Sequence, residues 1–572
     1  MFDLAKVPFS RYGSYFSLST NRWGGPGKGL YLHVHYANSP QVFKVDPVCD
    51  GRLVGYRTEV SPSLLKLKPE TGGEIEFVIA GQETIRIRGR GATLRLEMPA
   101  ERWTFAYQLP GGWAFNFAPS SVQLGLDAMH GSVEMKAPWE KGKGFCWETT
   151  NAVGTISPDT DGTFEIAIDT FLTAWIKPAR PPFDACREEV AREYEAWTKN
   201  LPAAEPEYEK TRDLAAYVNW SAVLAPAGNL TRATMFMSKY SMCNVYHWDH
   251  AFNAMAHCRH QPDLAWDQLL VMYDRRDAHG KCPSSMNRHE IRYTISNPPV
   301  QGWALRRMWD DNPALFTPER MAEAYDYLSQ WTNWICKQWT WPGDRLPFYH
   351  HGFDSGWDNS SIFDQGVPVI SPDQPAYLVL QMETLADLAG ALDRKEEAAE
   401  WKQRRDTMLK GLVEDLWRDD HFVGLIRPSG KVVECQSLIN CMPLVLGRRL
   451  PESVARPLVA RVREHLAPHG LATEKLDSPK YEEGGYWRGP IWAPPTMLVV
   501  CGLLDIGERE LAGTIMRAFC NLCRDHGFYE NFSPRTGEGH FCPSYTWTSS
   551  VFMIFQGLLT SGCGALNKNG PP

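Results

Sequence analysis

Nowhere in the 572 residues is there a run of about 18 apolar side chains, and the start, Met1-Phe2-Asp3-Leu4, is not a basic segment followed by an apolar one. No membrane partner is expected, and the chain is expected in the cytoplasm. Lys plus Arg number 59 against 67 Asp plus Glu, and neither sign gathers into a stripe, so a nucleic-acid partner is excluded as well. The 14 cysteines are scattered rather than arranged as a framework, as reduced thiols would be. Cys520 and Cys523 have C-x-x-C spacing, but no second pair accompanies them and they sit inside a helical pattern. Packing is the simpler reading of that pair. No similarity recurs at a fixed period, which disfavours a solenoid.

What the chain does have is aromatic rings, 22 Trp, 21 Tyr and 25 Phe, and two contrasting halves. From Gly29 to about Trp175 apolar and polar residues alternate with period two between turn-forming clusters. The strands expected include 30–36, 74–79, 113–117, 122–126 and 164–171. Thr84 to Arg88 and Thr93 to Glu97, joined through Gly89-Arg90-Gly91, read as a hairpin. The run 24–29 reads as a turn, since it lacks the Ser or Thr and the helix of a phosphate loop. Prolines at 178, 181 and 182 end this pattern, and a linker helix follows over 186–199.

Beyond it, apolar residues spaced at i, i+3, i+4 mark about twelve helices, near 209–225, 250–259, 263–276, 299–310, 317–338, 373–392, 395–417, 435–446, 452–467, 488–504, 507–526 and 545–561. The fold expected is a multidomain β plus α chain: an N-terminal antiparallel β-sandwich followed by an (α/α)6 barrel. Its boundaries are 1–180 for the sandwich, 181–206 for the linker and 207–572 for the barrel. Loops at one end of such a ring converge over a central cavity.

Five helix junctions mix Trp or Tyr with charged and amide groups. They are Tyr246-His247-Trp248-Asp249, the stretch from Asn297 to Trp303 with Gln301, Asp354-Ser-Gly-Trp357-Asp358-Asn-Ser360, Tyr486-Trp487-Arg488-Gly-Pro-Ile-Trp492, and 527–539 with Glu530, followed by Tyr545-Thr-Trp547. Taken alone, 354–360 reads equally as a helix cap or as a sugar-binding loop. His247, His250, His257 and His260 cluster at one helix start, yet only His250 and His257 share a face cleanly and no H-E-x-x-H pattern occurs. No metal and no cofactor is expected.

The motifs Gly356-Trp357-Asp358, Tyr486-Trp487-Arg488-Gly489-Pro490 and Gly527-Phe528-Tyr529-Glu530 with Thr536-Gly537 together resemble those of glycoside hydrolase family 63 and the related trehalases, in the same order over about 210–560. Trehalases have Gln-Trp-Asp where this chain has Tyr486-Trp487-Arg488, which places it on the family 63 side. The resemblance implies an inverting glycosidase acting on an α-glycosidic bond, with Asp358 as general acid and Glu530 as general base. Inversion needs a protonated carboxyl at the leaving oxygen and an ionised one activating water across the ring, roughly 6.5–9.5 Å apart. Asp358 beside Trp357 is expected to hold its proton, and Glu530 beside Asn531 to stay ionised.

Asp249 and Trp248 are assigned to the sugar, Asp354 to a supporting or sugar-binding role, and Arg488 to a hydroxyl or a catalytic carboxylate. Gln301, Trp303, Trp357, Trp487, Trp492 and Trp547 are candidate pocket walls. The Arg-rich loop 275–292 has two readings: a solvated face, or a lid whose Arg288 and Arg292 bind an acidic aglycone. Family 63 includes hydrolases of mannosylglycerate and glucosylglycerate, so the resemblance implies a small-molecule carbohydrate substrate. The first choice is an α-glucoside; another α-sugar, or binding without turnover, are the alternatives.

Overall fold

The computed structural model describes residues 2–22, 25–37, 41–142 and 146–561. An N-terminal region of antiparallel sheets is followed by a helical domain. Two compact units result: one holds 1–201, 216–244 and 287–290, the other 202–215, 245–286 and the chain from 291 onward.

Two eight-stranded sheets dominate the first unit, and the paired strands in both are antiparallel. Their apolar faces meet through contacts such as Phe43 against Phe115, edge to face at 5.1 Å. The expected hairpin is corrected here. Thr84–Arg90 lies between Glu74–Ile79 and Thr163–Phe171 in one sheet, whereas Thr93–Met98 lies between Gln41–Cys49 and Ala152–Ser157 in the other. Burial explains the crossing: Ile85, Ile87, Leu94 and Leu96 are all buried, and changing sheets at Gly91 (φ +60°) lets both strands turn their apolar side to one interior. The expected turn at 24–29 also changes. Gly24 lies outside the described residues, and Gly25–Val34 is strand, with Gly25 and Pro26 paired to Arg22 and Asn21. Helix α1 (Phe183–Thr198) follows the sheets, packing Phe183 and Cys186 on Val78.

The helical part begins with α2 (Glu209–Ala222) and continues with α3 (Asp249–His257), α4 (Pro262–Leu270), α5 (Gln301–Asp311), α6 (Pro318–Gln338), the one-turn α7 (Gly352–Ser355), α8 (Asp373–Ala391), α9 (Lys395–Leu416), α10 (Glu452–Glu464), α11 (Ala493–Ile506), α12 (Arg509–His526) and α13 (Thr546–Thr560). Helix α3 packs against α5 and α13, α5 against α8, α8 against the 3-10 segment Leu438–Arg449, that segment against α11, and α11 against α13. Five further helices lie against members of this set: α4 on α3, α6 and α9 on α8, α10 on the 3-10 segment, α12 on α11 and α13. Their sequences account for the two roles. Helices α8, α11 and α13 are apolar or small on nearly every side and are buried all round, whereas α12 buries one stripe from Leu511 to Cys523, with Cys520 and Cys523 both inside it.

Two expected helices differ. The span 435–446 is 3-10 rather than α, because Pro443 has no amide to donate and Gly447 breaks the turn at φ +55°. The span 488–504 starts its helix only at Ala493; Ile491–Trp492 before it is strand, paired with Asn531–Phe532. A Cβ on Gly447 would sit 1.8 Å from Asp505 Oδ2, the atom that accepts from Arg448 N. Gly447→Ala is therefore expected to destabilise the chain by about 1–3 kcal/mol, combining left-handed strain with that clash, as read from urea unfolding midpoints. Among the described residues no helix is long and apolar enough to cross a membrane.

Candidate active site

The acid loop is built by short-range bonds. His351 and Asp354 form a capping box around α7, and Gly356 ends the helix at φ +70°. That φ suits glycine, and so does the packing, since a Cβ would lie 2.8 Å from the Trp248 ring. The chain then drops Trp357 into full burial and presents Asp358. Gly352 lies directly under Asp358, because a Cβ there would be 2.1 Å from the Asp358 carbonyl oxygen. Asn359 ties this loop to the next motif: its Nδ2 donates to Gly485 O at 3.0 Å and its Oδ1 accepts from Trp487 N at 2.9 Å.

Glu530 sits at the start of a three-stranded sheet formed by Ile491–Trp492, Asn531–Phe532 and Gly539–His540. Its amide donates to Cys542 O at 2.8 Å. Its Oε1 accepts from Tyr486 Oη at 3.0 Å, and Tyr486 is itself held at φ +63° with its carbonyl accepting from Trp492 Nε1.

Burial pushes Asp358 up to about 7. It does the same to Glu530, whose rise to about 7 is opposed by the Tyr486 hydroxyl and the Cys542 amide and increased by the charge of Asp358. The expected polar setting around Glu530 is thus corrected: Glu530 and Asn531 are both buried. What separates the two acids is hydrogen bonding. Two donors favour the ionised form of Glu530, while Asp358 has only its own backbone amide for this. Two carboxyls that interact near neutral pH titrate as a pair, and the extra donors at Glu530 favour its ionised form relative to that of Asp358.

Asp249, at the first turn of α3, is a third acid in the same field. Burial raises it well above the usual range, Tyr545 Oη donates to its Oδ1 at 3.2 Å, and the charges of Glu530 and Asp358 raise it further. Tyr246, Tyr486 and Tyr545 carry no assigned role in the sequence reading of their motifs, yet the phenols of Tyr246 and Tyr545 feel both Asp249 and Glu530, and that of Tyr486 feels Glu530 and Asp358. A signal was present, because each stands one or two residues before a chosen tryptophan, Trp248, Trp487 or Trp547.

Those tryptophans make one cluster. Trp487 stacks on Trp492 at 4.0 Å and lies 4.8 Å from Trp357, and Trp248 and Trp492 each meet Trp547 edge to face. All five rings are buried, so the cluster backs the carboxylates and tyrosines.

The other candidates are placed elsewhere. Asp354 is occupied by backbone, accepting from Ser296 N at 2.8 Å and from His350 N at 3.1 Å. Gln301 donates to His247 O, and Trp303 packs on Phe252. Arg488 turns to Asp364 in a two-nitrogen ion pair and not to either catalytic candidate. Arg288 is no lid residue: it is buried in the first unit, paired with Glu83 at 2.7 Å and lying over the Tyr36 ring. Arg292 differs from it, being exposed and close enough to Tyr246 for its charge to lower that phenol's pKa. His250 Nδ1 is bonded to Gln268 O, and among the described residues no three His, Cys, Asp or Glu side chains form a metal-holding group.

Removing the Tyr486 hydroxyl tests the electrostatics. The donor lowers the pKa of Glu530, so Tyr486→Phe is expected to raise it and to move the acid limb of the kcat/KM profile to higher pH, leaving the basic limb in place. A pH profile of the variant against wild type checks this.

Comparison with known proteins places this geometry in a family. The model of the mannosylglycerate hydrolase MGH1-like glycoside hydrolase domain matches residues 242–548, more than half of the chain and a span containing Asp249, Asp358 and Glu530. A mannosylglycerate hydrolase of Rubrobacter radiotolerans is 23% identical over 442 residues, covering 61% of this chain and 98% of that protein. A mannosylglycerate hydrolase of Thermus thermophilus is 22% identical over 395 residues, 54% of this chain and 93% of its own. Among solved structures, a family 63 mannosylglycerate hydrolase from Thermus thermophilus in complex with glucose matches with a TM-score of 0.54 at 21% identity, covering 60% of this chain and 99% of that one. A bacterial glucoamylase complexed with acarbose has a TM-score of 0.62 at 11% identity and covers 97% of this chain and 94% of its own, a likeness of fold alone. The chain belongs to the MGH1-like glycoside hydrolases of family 63.

Proposed function

We propose that this glycoside hydrolase is an inverting α-glycosidase whose substrate is a small α-glycoside with an acidic aglycone, of the mannosylglycerate or glucosylglycerate type. The observation that carries the mechanism is the pair Asp358 and Glu530. Drawn from distant loops, both are raised by burial to about 7, the charge of Asp358 reaches Glu530, and Glu530 has two hydrogen-bond donors where Asp358 has only its own backbone amide. Asp358 gives its proton to the glycosidic oxygen as the aglycone leaves. Glu530 takes a proton from the water that attacks the anomeric carbon on the opposite face. Asp249 accepts or donates to sugar hydroxyls beside Tyr545. Arg292 supplies the cation for an aglycone carboxylate, and the names of the two bacterial relatives favour that reading over a neutral α-glucoside.

In the same proposal the helix neighbours close a ring of α3, α5, α8, the 3-10 segment, α11 and α13 inside an outer layer, an (α/α)6 barrel that follows a β-sandwich in the sequence. The sandwich spans 1–180, the linker 181–206 and the catalytic domain 207–572, with 216–244 and 287–290 lent to the first unit. The location proposed is the cytoplasm.

The test is hydrolysis of α-mannosylglycerate, α-glucosylglycerate and the matching neutral methyl glycosides, followed by proton NMR. The β anomer of the sugar is expected first, and Arg292→Gln is expected to raise KM for the glycerate compounds while leaving the methyl glycosides alone. Early α anomer would overturn inversion, and an equal effect of Arg292→Gln on both substrate kinds would overturn the acidic aglycone.

A further inference from the structure

Helices α3, α5 and α13 begin at or beside Asp249, Gln301 and Trp547, and along their other ends, with α11, they enclose a separate cavity of about 330 Å³. From Asp249 to His257 is about 12 Å of helix at 1.5 Å per residue, and Arg259 lies beyond that end, so this cavity is remote from the carboxylates. Its size falls within the roughly 300–1,000 Å³ typical of small-molecule sites. The floor is apolar and adaptable, with Met308, Met497, Met553 and Cys501 all buried there.

Two arginines differ sharply in what they do at this cavity. Arg259, exposed at the rim, is neutralised by an ion pair with Asp311. Arg307 lines the cavity half-buried, resting over the Trp303 ring at 5.4 Å, and its Nε is buried without a hydrogen-bond partner. Among the described residues it makes no ion pair. A guanidinium against an apolar wall with no counter-charge is poorly solvated, and an anion placed beside it there is attracted more strongly than in bulk water.

We propose that this cavity binds a small amphipathic monoanion, a carboxylate on a short hydrocarbon chain or ring. The planar guanidinium of Arg307 takes the carboxylate through paired N–H groups, and the methionines accept the apolar tail. The charge complementarity of Arg307 singles out an anion. The apolar floor excludes a free sugar or inorganic phosphate as the preferred ligand. This site is independent of the reaction at Asp358 and Glu530.

Isothermal titration of the full chain with octanoate and with octan-1-ol separates the two halves of the proposal. Saturable one-site binding of octanoate is expected, with octan-1-ol weaker by roughly tenfold or more, since it lacks the charge. Arg307→Gln is expected to weaken octanoate by a similar factor and to leave octan-1-ol unchanged. The octan-1-ol comparison needs no substitution, so a variant that fails to fold does not remove the test. No saturable octanoate binding, equal binding of the acid and the alcohol, or octanoate binding by a folded Arg307→Gln chain as tightly as by wild type would each overturn the site.

Discussion

Asp358→Asn is expected to lower kcat on a natural α-glycoside by about 10²–10⁴, the range that a positioned general acid contributes. The loss should depend on the leaving group. An α-glycosyl fluoride departs without protonation, so the same variant is expected to retain most of its turnover on the fluoride. Glu530→Gln should behave differently, losing both substrates alike because the attacking water is no longer deprotonated. Adding azide to Glu530→Ala supplies a nucleophile that needs no base. Azide attacks the anomeric carbon on the face opposite the aglycone, Asp358 protonates the departing oxygen, and a β-glycosyl azide accumulates. The contrast between the two variants matters more than either loss, since burial raises both carboxyls and only the hydrogen bonds from Tyr486 and Cys542 tell them apart. An Asp358→Asn chain that hydrolyses the natural glycoside and the fluoride with equal loss would falsify the assignment of the acid.

The second large effect comes from a residue with no side chain. Gly352→Ala would place a Cβ 2.1 Å from the carbonyl oxygen of Asp358, and neither partner can retreat easily. Gly352 starts α7, whose capping box is closed by Asp354, and Asp354 is anchored by Ser296, His350 and His351 amides. On the other side Asn359 locks the loop to Gly485 and Trp487. The strain must therefore move Asp358. A displacement near 1 Å at a reacting group costs on the order of 10²-fold in rate, so kcat is expected to fall by about that factor while the substrate's dissociation constant changes little. Single-turnover kinetics with a separate binding measurement would show it. Unchanged kcat in a folded Gly352→Ala chain would mean that the acid loop is softer than this packing requires.

How far the site could be read from the chain is clearest residue by residue. Asp358 and Glu530 stand in specific motifs, and the structure brings their charges within mutual reach. Trp248, Trp357, Trp487, Trp492 and Trp547 were recognisable as a set by their junction positions, and they do assemble, though packed on one another. Tyr246, Tyr486 and Tyr545 stood in the junction motifs but were given no role, because a tyrosine beside a tryptophan has no periodicity to mark it. Only the folded chain shows which carboxylate each hydroxyl meets. Arg288 and Arg292, four residues apart in one basic loop, could not be separated by composition. One is buried against Glu83 and Tyr36, the other is exposed near Tyr246.

The same division runs through the fold. Many strand and helix positions were legible because burial of one face imposes a period of two or of 3.6 on the residues themselves, and most helices from α2 to α13, apart from the one-turn α7 and the late start of α11, lie close to their patterned segments. Pairing was not legible, since alternation says that Thr84–Arg90 and Thr93–Met98 each have an apolar side and nothing about which sheet receives it. Residue type and motif order were enough to nominate two carboxylates as a candidate pair. Their protonation near neutral pH, the third acid Asp249 and the uncompensated Arg307 arise from burial and from neighbours distant in sequence, and these exist only once the chain is packed.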